Sequence, residues 1–234
     1  MTKKPDIYAG KNPRDLPLYS VHEAARIVRV RPSTVRAWAL GRTYPTSSGS
    51  KSWPPLIHVA DAKARRLSFA NLVELHVLSA LRDKRVRVES IRSASQFIRR
   101  ALEAEHPLAD VDAHTDCVDI YVEYLGRLIN ASKSNVALRP VVERYLERID
   151  RDEQGLASRL FPITRDDATN PRVVVIDPAR RFGRPVLATA NIETSVIADR
   201  YFAGELPASL AADFAISETD VHEAVRFEHQ LRAA

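Results

Sequence analysis

The stretch that decides the fold is residues 19–40, YSVHEAARIVRVRPSTVRAWAL. Ser20 followed by Glu23 forms a capping box, which predicts that a helix begins directly after the serine. Pro32 suits the first turn of a second helix, because its missing N–H would have no partner there. Residues 29–31 lie between the two helices and form a short turn. The stretch therefore predicts a helix-turn-helix.

The second helix separates apolar from polar side chains. Val35 and Trp38 are three residues apart and are predicted to face the core, which leaves Arg36 on the outer face. An arginine in the first turns of a recognition helix can make a bidentate contact with guanine, and nearby hydroxyls can reach a phosphate or a base. The residues of this stretch predicted to contact DNA are Arg31, Ser33, Thr34 and Arg36.

Charge is distributed unevenly along the 234 residues, whose net charge is +5. Residues 1–100 hold 20 Lys and Arg against 7 Asp and Glu, whereas residues 101–234 hold 15 against 23. Residues 19–66 hold nine Lys and Arg against two Asp and Glu. A solvated surface can show such a split by chance, and two helices around a turn occur in other folds. Because the basic part contains the motif, we interpret it as a DNA-binding region.

Composition excludes several other classes of protein. No apolar run approaches the roughly 18 residues that span a bilayer, and the N-terminus lacks the apolar region of a signal peptide. The single cysteine, Cys117, excludes an internal disulfide and a cysteine-rich metal site. We therefore expect a cytoplasmic protein without membrane partners.

Periodicity and charge both change between about 105 and 115, which predicts a domain boundary. The predicted fold is α+β, mainly α, with an N-terminal winged helix-turn-helix and following helices, then a small α/β C-terminal domain. The predicted parts are a flexible N-terminal arm at 1–17, the DNA-binding domain with its helical extension at 18–108, and the α/β domain at 109–234.

The C-terminal half has a mixed pattern. Alternating residues predict a β-hairpin at 116–129, and Pro140 predicts the first turn of a short helix over 139–149. Strands are predicted at 156–164 and 172–176, and helices from 193 onward.

Residues 205–228 also have the form of a helix-turn-helix, with Ser217 and Asp220 as a capping box. The second helix of this pair has a net charge of about −3, so phosphate would repel it. We interpret it as a packing or protein–protein element.

The best candidate for catalysis is the acidic run 110–119, DVDAHTDCVD, which could bind Mg²⁺ for phosphodiester hydrolysis. Such a run is more typical of a solvated loop. His222 and His229 are seven residues apart, too far to share a metal on one helix, and Ser195 lacks a nucleophile elbow. We therefore expect no catalytic residues, no metal, no cofactor and no enzymatic activity.

The N-terminal motifs resemble the MerR-like winged helix-turn-helix family. The resemblance comprises the helix-turn-helix at 19–38, a short wing at 41–57 and the LSFANLVEL helix start at 67–75. It implies that side chains of the wing contact backbone phosphates. The wing residues concerned are Arg42, Lys51 and Trp53.

Residues 172–228 resemble a bacterial domain family of unknown function, number 433, found in antitoxins. The shared elements are Asp-Pro at 177–178, Gly-x-Pro at 183–185 and the stretch TANI at 189–192, although Ala and Asn replace the family's Thr and Arg there. With EHPLA at 105–109, the chain resembles a VapB-type antitoxin.

This resemblance implies a homodimeric repressor that binds operator DNA of its own operon and neutralises a VapC-like PIN-fold ribonuclease toxin. The residues predicted for toxin binding are Arg180, Arg181 and Arg200. Two alternatives remain open. One is a stand-alone MerR-like regulator whose C-terminal domain binds a small molecule in an apolar pocket within 116–200. The other is a nuclease that uses the run 110–119.

Overall fold

The chain is a mixed α+β protein dominated by helices, as the sequence predicts. The computed structural model describes residues 8, 10–47, 49–103, 105–110, 122–125, 134–164 and 171–233. The labelled helices of this part are α1 (Val21–Ile27), α2 (Pro32–Leu40), α3 (Phe69–Asp83), α4 (Val88–Leu102), α5 (Pro107–Asp110), α6 (Ser134–Leu146), α7 (Thr194–Phe202), α8 (Pro207–Phe214) and α9 (Glu218–Ala233).

The strands pair into small antiparallel sheets of two strands each. They are β1 (Tyr19–Ser20) with β4 (Arg66–Leu67), β2 (Arg42–Thr46) with β3 (Gly49–Trp53), β5 (Ile149–Arg151) with β6 (Ala157–Leu160), and β7 (Val174–Val175) with β8 (Val186–Leu187).

The predicted helix-turn-helix is confirmed in α1 and α2. The Ser20 hydroxyl accepts a hydrogen bond from the Glu23 backbone N–H at 3.1 Å, and the Glu23 carboxylate accepts one from the Ser20 N–H at 2.7 Å. Arg29 reverses the chain in a left-handed conformation, with φ of 56°. Val30 is 1% exposed and fills the corner between the two helices.

Helix α3 is the centre of the structure. Every residue from 69 to 81 is buried, so the helix is covered on all sides. It contacts α5, α6, β4 and β6. One apolar cluster runs from Tyr19 to Ile176 and therefore crosses the predicted domain boundary. The division at 108/109 stays a prediction.

A buried charged pair joins α3 to α5. The Glu74 carboxylate lies 3.1 Å from Nδ1 of His106, and both residues are less than 9% exposed. Burial raises the pKa of Glu74, although the hydrogen bond with His106 opposes the rise. Burial lowers the pKa of His106, but the hydrogen bond and charge of Glu74 outweigh it, so that pKa is raised. The hydrogen bond between the two side chains thus offsets part of the cost of burying them.

The last residues of the predicted arm pack against this region. Pro13–Asp15 form a 3-10 helix, capped by Asn12 and in contact with α3. Arg14 is 6% exposed and forms an ion pair with Asp110 at the end of α5.

The predicted hairpin at 116–129 is wrong where the structure describes it, because residues 122–125 are helical. Val122 and Leu125 are three apart and both buried, and Tyr124 stacks on Phe97 with ring centroids 4.4 Å apart. Packing of one helical face therefore overrides the local alternation. The rest of the predicted hairpin lies outside the described residues.

A hairpin forms instead from β5 and β6. Helix α6 begins at Ser134, so Pro140 lies inside the helix rather than in its first turn. Leu138 precedes Pro140 and Val142 follows it, and both are buried in the core. Their burial stabilises the helix on either side of the proline.

Residues 172–233, which we call the C-terminal module, pack against α1. The Tyr19 hydroxyl donates to the Gly183 carbonyl at 2.9 Å, and Arg26 donates to the carbonyl of Leu231 in α9. Gly183 has a φ of +73°, and an added Cβ would lie 2.1 Å from the Tyr19 oxygen. Only glycine fits this contact.

Replacing His106 with Ala should lower the free energy of unfolding by roughly 3–5 kcal/mol, because Glu74 would remain buried with only the longer hydrogen bond from Asn71. Urea denaturation of the variant measures the loss, with His222→Ala, an exposed histidine on α9, as the control. Adding Glu74→Gln to His106→Ala should restore part of the stability. A loss in His106→Ala no larger than in the control would contradict the role of the pair.

His76 should make the protein sensitive to acid. Burial lowers the pKa of His76 to about 4, with a hydrogen bond to the Tyr145 carbonyl opposing the shift. The unfolded chain therefore binds the proton more readily, and stability falls as pH drops from about 6.5 to about 4, by roughly 3 kcal/mol. Thermal melts should show a flatter profile in this window for His76→Gln than for wild type, whereas His222→Gln should match wild type. Identical profiles for wild type and His76→Gln would disprove this.

Candidate nucleic-acid interface

Helix α2 presents its predicted reading residues to solvent. Val35 and Trp38 are 0% and 4% exposed, so the inward face is fixed by packing. Ser33 and Arg36 are exposed on the outer face, and Thr34 is half-buried between them. The orientation inferred from the spacing is confirmed, while contact with DNA stays a prediction.

The wing is the hairpin of β2 and β3. Its register places Arg42 opposite Trp53 and Tyr44 opposite Lys51. The Tyr44 and Trp53 rings meet edge to face at 5.6 Å, which stiffens the hairpin. Trp53 is nevertheless 39% exposed, and the side chains of Arg42 and Lys51 are exposed too.

The base of the wing is fixed to the recognition helix. Gly41 ends α2 with a φ of +77°, and a Cβ there would lie 2.6 Å from the Trp53 carbonyl. The Leu56 N–H donates to the Trp38 carbonyl at 2.7 Å. Arg92 of α4 donates to the Pro54 carbonyl at 2.7 Å. The wing therefore leaves α2 in one defined direction.

Helix and wing together line a cleft of about 640 Å³. Ser33, Arg36 and Arg42 lie along it, together with His22 of α1. Arg36 also lines a second cleft of about 470 Å³, which includes Arg65. The structure thus brings three of the predicted DNA-binding residues together. Lys51 lies further along the wing, and Trp53, although opposite Arg42, is not among the described residues that line the cleft.

The cations of this surface are not neutralised by carboxylates of the described residues. Within the described residues, no carboxylate forms an ion pair with Arg31, Arg36, Arg42 or Lys51. Arg66 differs, since it lies 3.6 Å from Glu23. A polyanion meeting this surface would therefore gain full charge–charge contacts without first breaking an internal pair.

Helix α9 exposes fewer carboxylates than the sequence predicts. The sequence gives four carboxylates on this helix, but Glu223 and Glu228 are only 1% and 8% exposed. The Thr194 hydroxyl donates to Glu228, and Arg226 lies 3.6 Å from Glu223. The exposed face is therefore much less acidic than the sequence suggests. What marks α9 as a packing helix is the burial of Val221, Ala224 and Phe227.

The three arginines predicted for toxin binding do not form one cluster. Arg200 joins α7 to α8, since it donates to Glu205 and, at 2.6 Å, to Asp213. Arg180 forms an ion pair with Asp177 at 3.2 Å. Arg181 is exposed, and no described residue forms an ion pair with it.

Phe182, the neighbour of Arg181, is a candidate contact residue that was not predicted from the sequence. Phe182 is 59% exposed, because residues 181–183 form a 3-10 turn in which all three residues have positive φ. Nothing in the local sequence other than Gly183 signals this turn. Arg181 and Phe182 together form an exposed cation and aromatic ring.

The candidates for catalysis gain no positive support. Among the described residues, no group of three His, Cys, Asp or Glu side chains could hold a metal ion. Asp110 pairs with Arg14, and the rest of the acidic run, with Cys117, lies outside the described residues. His222 and His229 are exposed on α9.

A cleft of about 550 Å³ lies where the C-terminal module meets α1. It is lined by both parts of the chain, including Arg26, Arg184, Glu193 and Ser195. This charged cleft differs from the apolar pocket within 116–200 that would favour a small-molecule sensor.

In the part of the chain that the structure describes, no helix is both long and apolar enough to cross a membrane.

Comparison with known proteins supports a two-part chain. Residues 17–95 match the family described as "Putative DNA-binding HTH domain", and residues 174–227 match "Protein of unknown function (DUF433)". The MerR-like assignment within the first family stays a prediction.

Relatives align along nearly the whole chain. The Mycobacterium tuberculosis protein named "Putative antitoxin VapB45" is 26% identical, over 90% of this chain and 93% of its own length. The uncharacterized protein Rv2308 of the same organism is 25% identical, over 94% and 93%. The crystal structure of Rv2018, also from M. tuberculosis, superposes with a TM-score of 0.65 at 25% identity, covering 90% of this chain and 98% of that one. The chain is therefore similar to the putative DNA-binding HTH family over residues 17–95 and to the DUF433 family over residues 174–227.

Proposed function

We propose that this protein is the antitoxin of a type II toxin–antitoxin pair and a repressor of its own operon. Its helix-turn-helix and wing bind operator DNA, as a homodimer on an inverted repeat. Its C-terminal module binds and neutralises a PIN-fold ribonuclease toxin. The protein acts in the cytoplasm and is not itself an enzyme. The antitoxin relative that aligns with 90% of the chain supports this function.

The observation that carries the DNA-binding part is the position of Arg36. Its guanidinium is exposed in the cleft between α2 and the wing, and Ser33 and Arg42 line the same cleft. Val35 and Trp38 hold the helix from behind, so the side chain is presented from a rigid support. A major groove is wide enough to admit such a helix, and guanine offers the two acceptors that arginine requires.

The wing supplies the contacts that position the helix. Arg42 and Lys51 project from a hairpin fixed at Gly41 and Leu56, and exposed cations there can contact backbone phosphates. Trp53, which is 39% exposed, carries an indole N–H that can donate to a phosphate oxygen.

The toxin-binding part rests on the turn at 181–183. Arginine and phenylalanine are both enriched in protein–protein interfaces relative to the rest of the protein surface, and both are exposed here. Arg200 is better explained as a structural residue, because Glu205 and Asp213 already satisfy its guanidinium. We therefore assign the toxin contact to Arg181 and Phe182.

Arg36→Ala should abolish sequence preference without unfolding the protein, because the side chain is exposed. Fluorescence anisotropy compares the upstream duplex of its own operon with a scrambled duplex at about 150 mM salt. We expect wild type to prefer the native duplex by roughly tenfold or more, and the variant to lose that preference. Arg181→Ala, an exposed arginine of the C-terminal module, should bind DNA like wild type. A preference retained by Arg36→Ala would disprove the reading role of α2.

Arg181→Ala and Phe182→Ala should each weaken binding to the toxin encoded beside this gene. The loss for the stronger variant should reach about 2 kcal/mol, or roughly thirtyfold. Calorimetric titration measures binding, and ribonuclease assays report inhibition. Arg36→Ala serves as the control and should inhibit the toxin normally. Unchanged inhibition by both variants would exclude the turn as the contact.

A further inference from the structure

A second basic turn lies beside the recognition helix. Residues 61–66, DAKARR, form a tight hairpin-like turn in which Asp61 and Arg66 exchange both backbone hydrogen bonds, at 3.1 and 2.9 Å. The Asp61 side chain also accepts from the Ala64 N–H at 2.8 Å. Arg65 adopts a left-handed conformation, with φ of 54°, that closes the turn. We call residues 61–66 the basic turn.

The basic turn is held rigidly on the protein core. Asn71, fully buried at the start of α3, donates to the His58 carbonyl and accepts from the Ala60 N–H at 3.1 Å. At the other end of the turn, Arg66 pairs with Ser20 in the β1–β4 sheet. Both ends are therefore fixed relative to the helix-turn-helix.

Two cations of the basic turn are exposed to solvent. Lys63 and Arg65 are exposed, and no described residue forms an ion pair with either. Their neighbours Ala62 and Ala64 are exposed but short. A large anionic surface could therefore approach closely and meet two positive charges and no apolar side chain larger than a methyl group.

The basic turn and the wing both border Arg36, in two separate clefts. Arg36 lines the cleft that contains Arg42 and also the cleft that contains Ala62 and Arg65. The exposed face of α2 is thus flanked by cations on two sides. A duplex that receives α2 in its major groove would present a phosphate backbone on each side of that groove.

From this arrangement we propose that the basic turn is a second DNA contact, in which Lys63 and Arg65 bind backbone phosphates on the side of the groove away from the wing. The assignment rests on the proposed function, since it requires α2 to enter a major groove. A protein partner is disfavoured, because the turn offers charge without an apolar or aromatic anchor. The contact reads no bases, so it adds affinity and register rather than sequence preference.

The test is the salt dependence of DNA binding by the full-length chain. Lys63→Ala with Arg65→Asn removes both charges and keeps a residue that tolerates positive φ. The plot of log K against log salt should lose about 2 from its slope, since each phosphate contact contributes about 0.9. The ratio of native to scrambled duplex binding should remain that of wild type, in contrast to Arg36→Ala.

A matched control exists at the other end of α3. Lys84 and Arg85 are exposed, and Arg85 has a φ of 57°, like Arg65. The 15-residue helix separates the two sites by about 20 Å. Lys84→Ala with Arg85→Asn changes the net charge equally and should leave the slope close to that of wild type.

Three outcomes would count against the assignment. If wild type binds its upstream DNA and the Lys63/Arg65 variant keeps the full slope, the basic turn makes no phosphate contact, although the proposed function stands. An equal loss of slope in the control would show that only net charge matters and would overturn the assignment. Absence of binding by wild type would overturn the proposed function together with this inference.

Discussion

The burial of α3 from residue 69 to residue 81 is the constraint on which the rest of the structure depends. A helix covered on every side forces its polar residues to find partners within the protein. Asn71 therefore fixes the backbone at His58 and Ala60, and Glu74 binds His106. These bonds position α5 and the segment that leads from the wing into the basic turn. The same buried contacts that stabilise the core thus set the geometry of the proposed DNA-binding surface.

The second organising contact joins the two modules. Tyr19 begins the helix-turn-helix and also donates to Gly183, the last residue of the turn that exposes Arg181 and Phe182. Arg26 makes a further bond to the end of α9. The surface proposed for DNA and the surface proposed for the toxin are therefore supported by one framework, yet they use different side chains. This separation is what allows each to be tested by its own substitution.

The role of a charged residue depends on its ion-pair partners and on its burial, which a count of charges along the sequence does not show. Arg36 and Arg200 look equivalent in the sequence, but the first is unpaired with any described residue and the second is held by Glu205 and Asp213. Glu223 and Glu228 contribute to an acidic count although they are buried. A charge count over a single helix such as α9 therefore overstates the charge that its surface presents to solvent.

The sequence by itself determined the helix-turn-helix, because Ser20, Glu23 and Pro32 act through bonds a few residues long. It also determined the capping of α9 and the mainly α composition. Only the tertiary structure decided that residues 122–125 are helical, that Phe182 is exposed and that the basic turn flanks Arg36. These features depend on contacts between residues far apart in the chain, and local periodicity carries no information about such contacts.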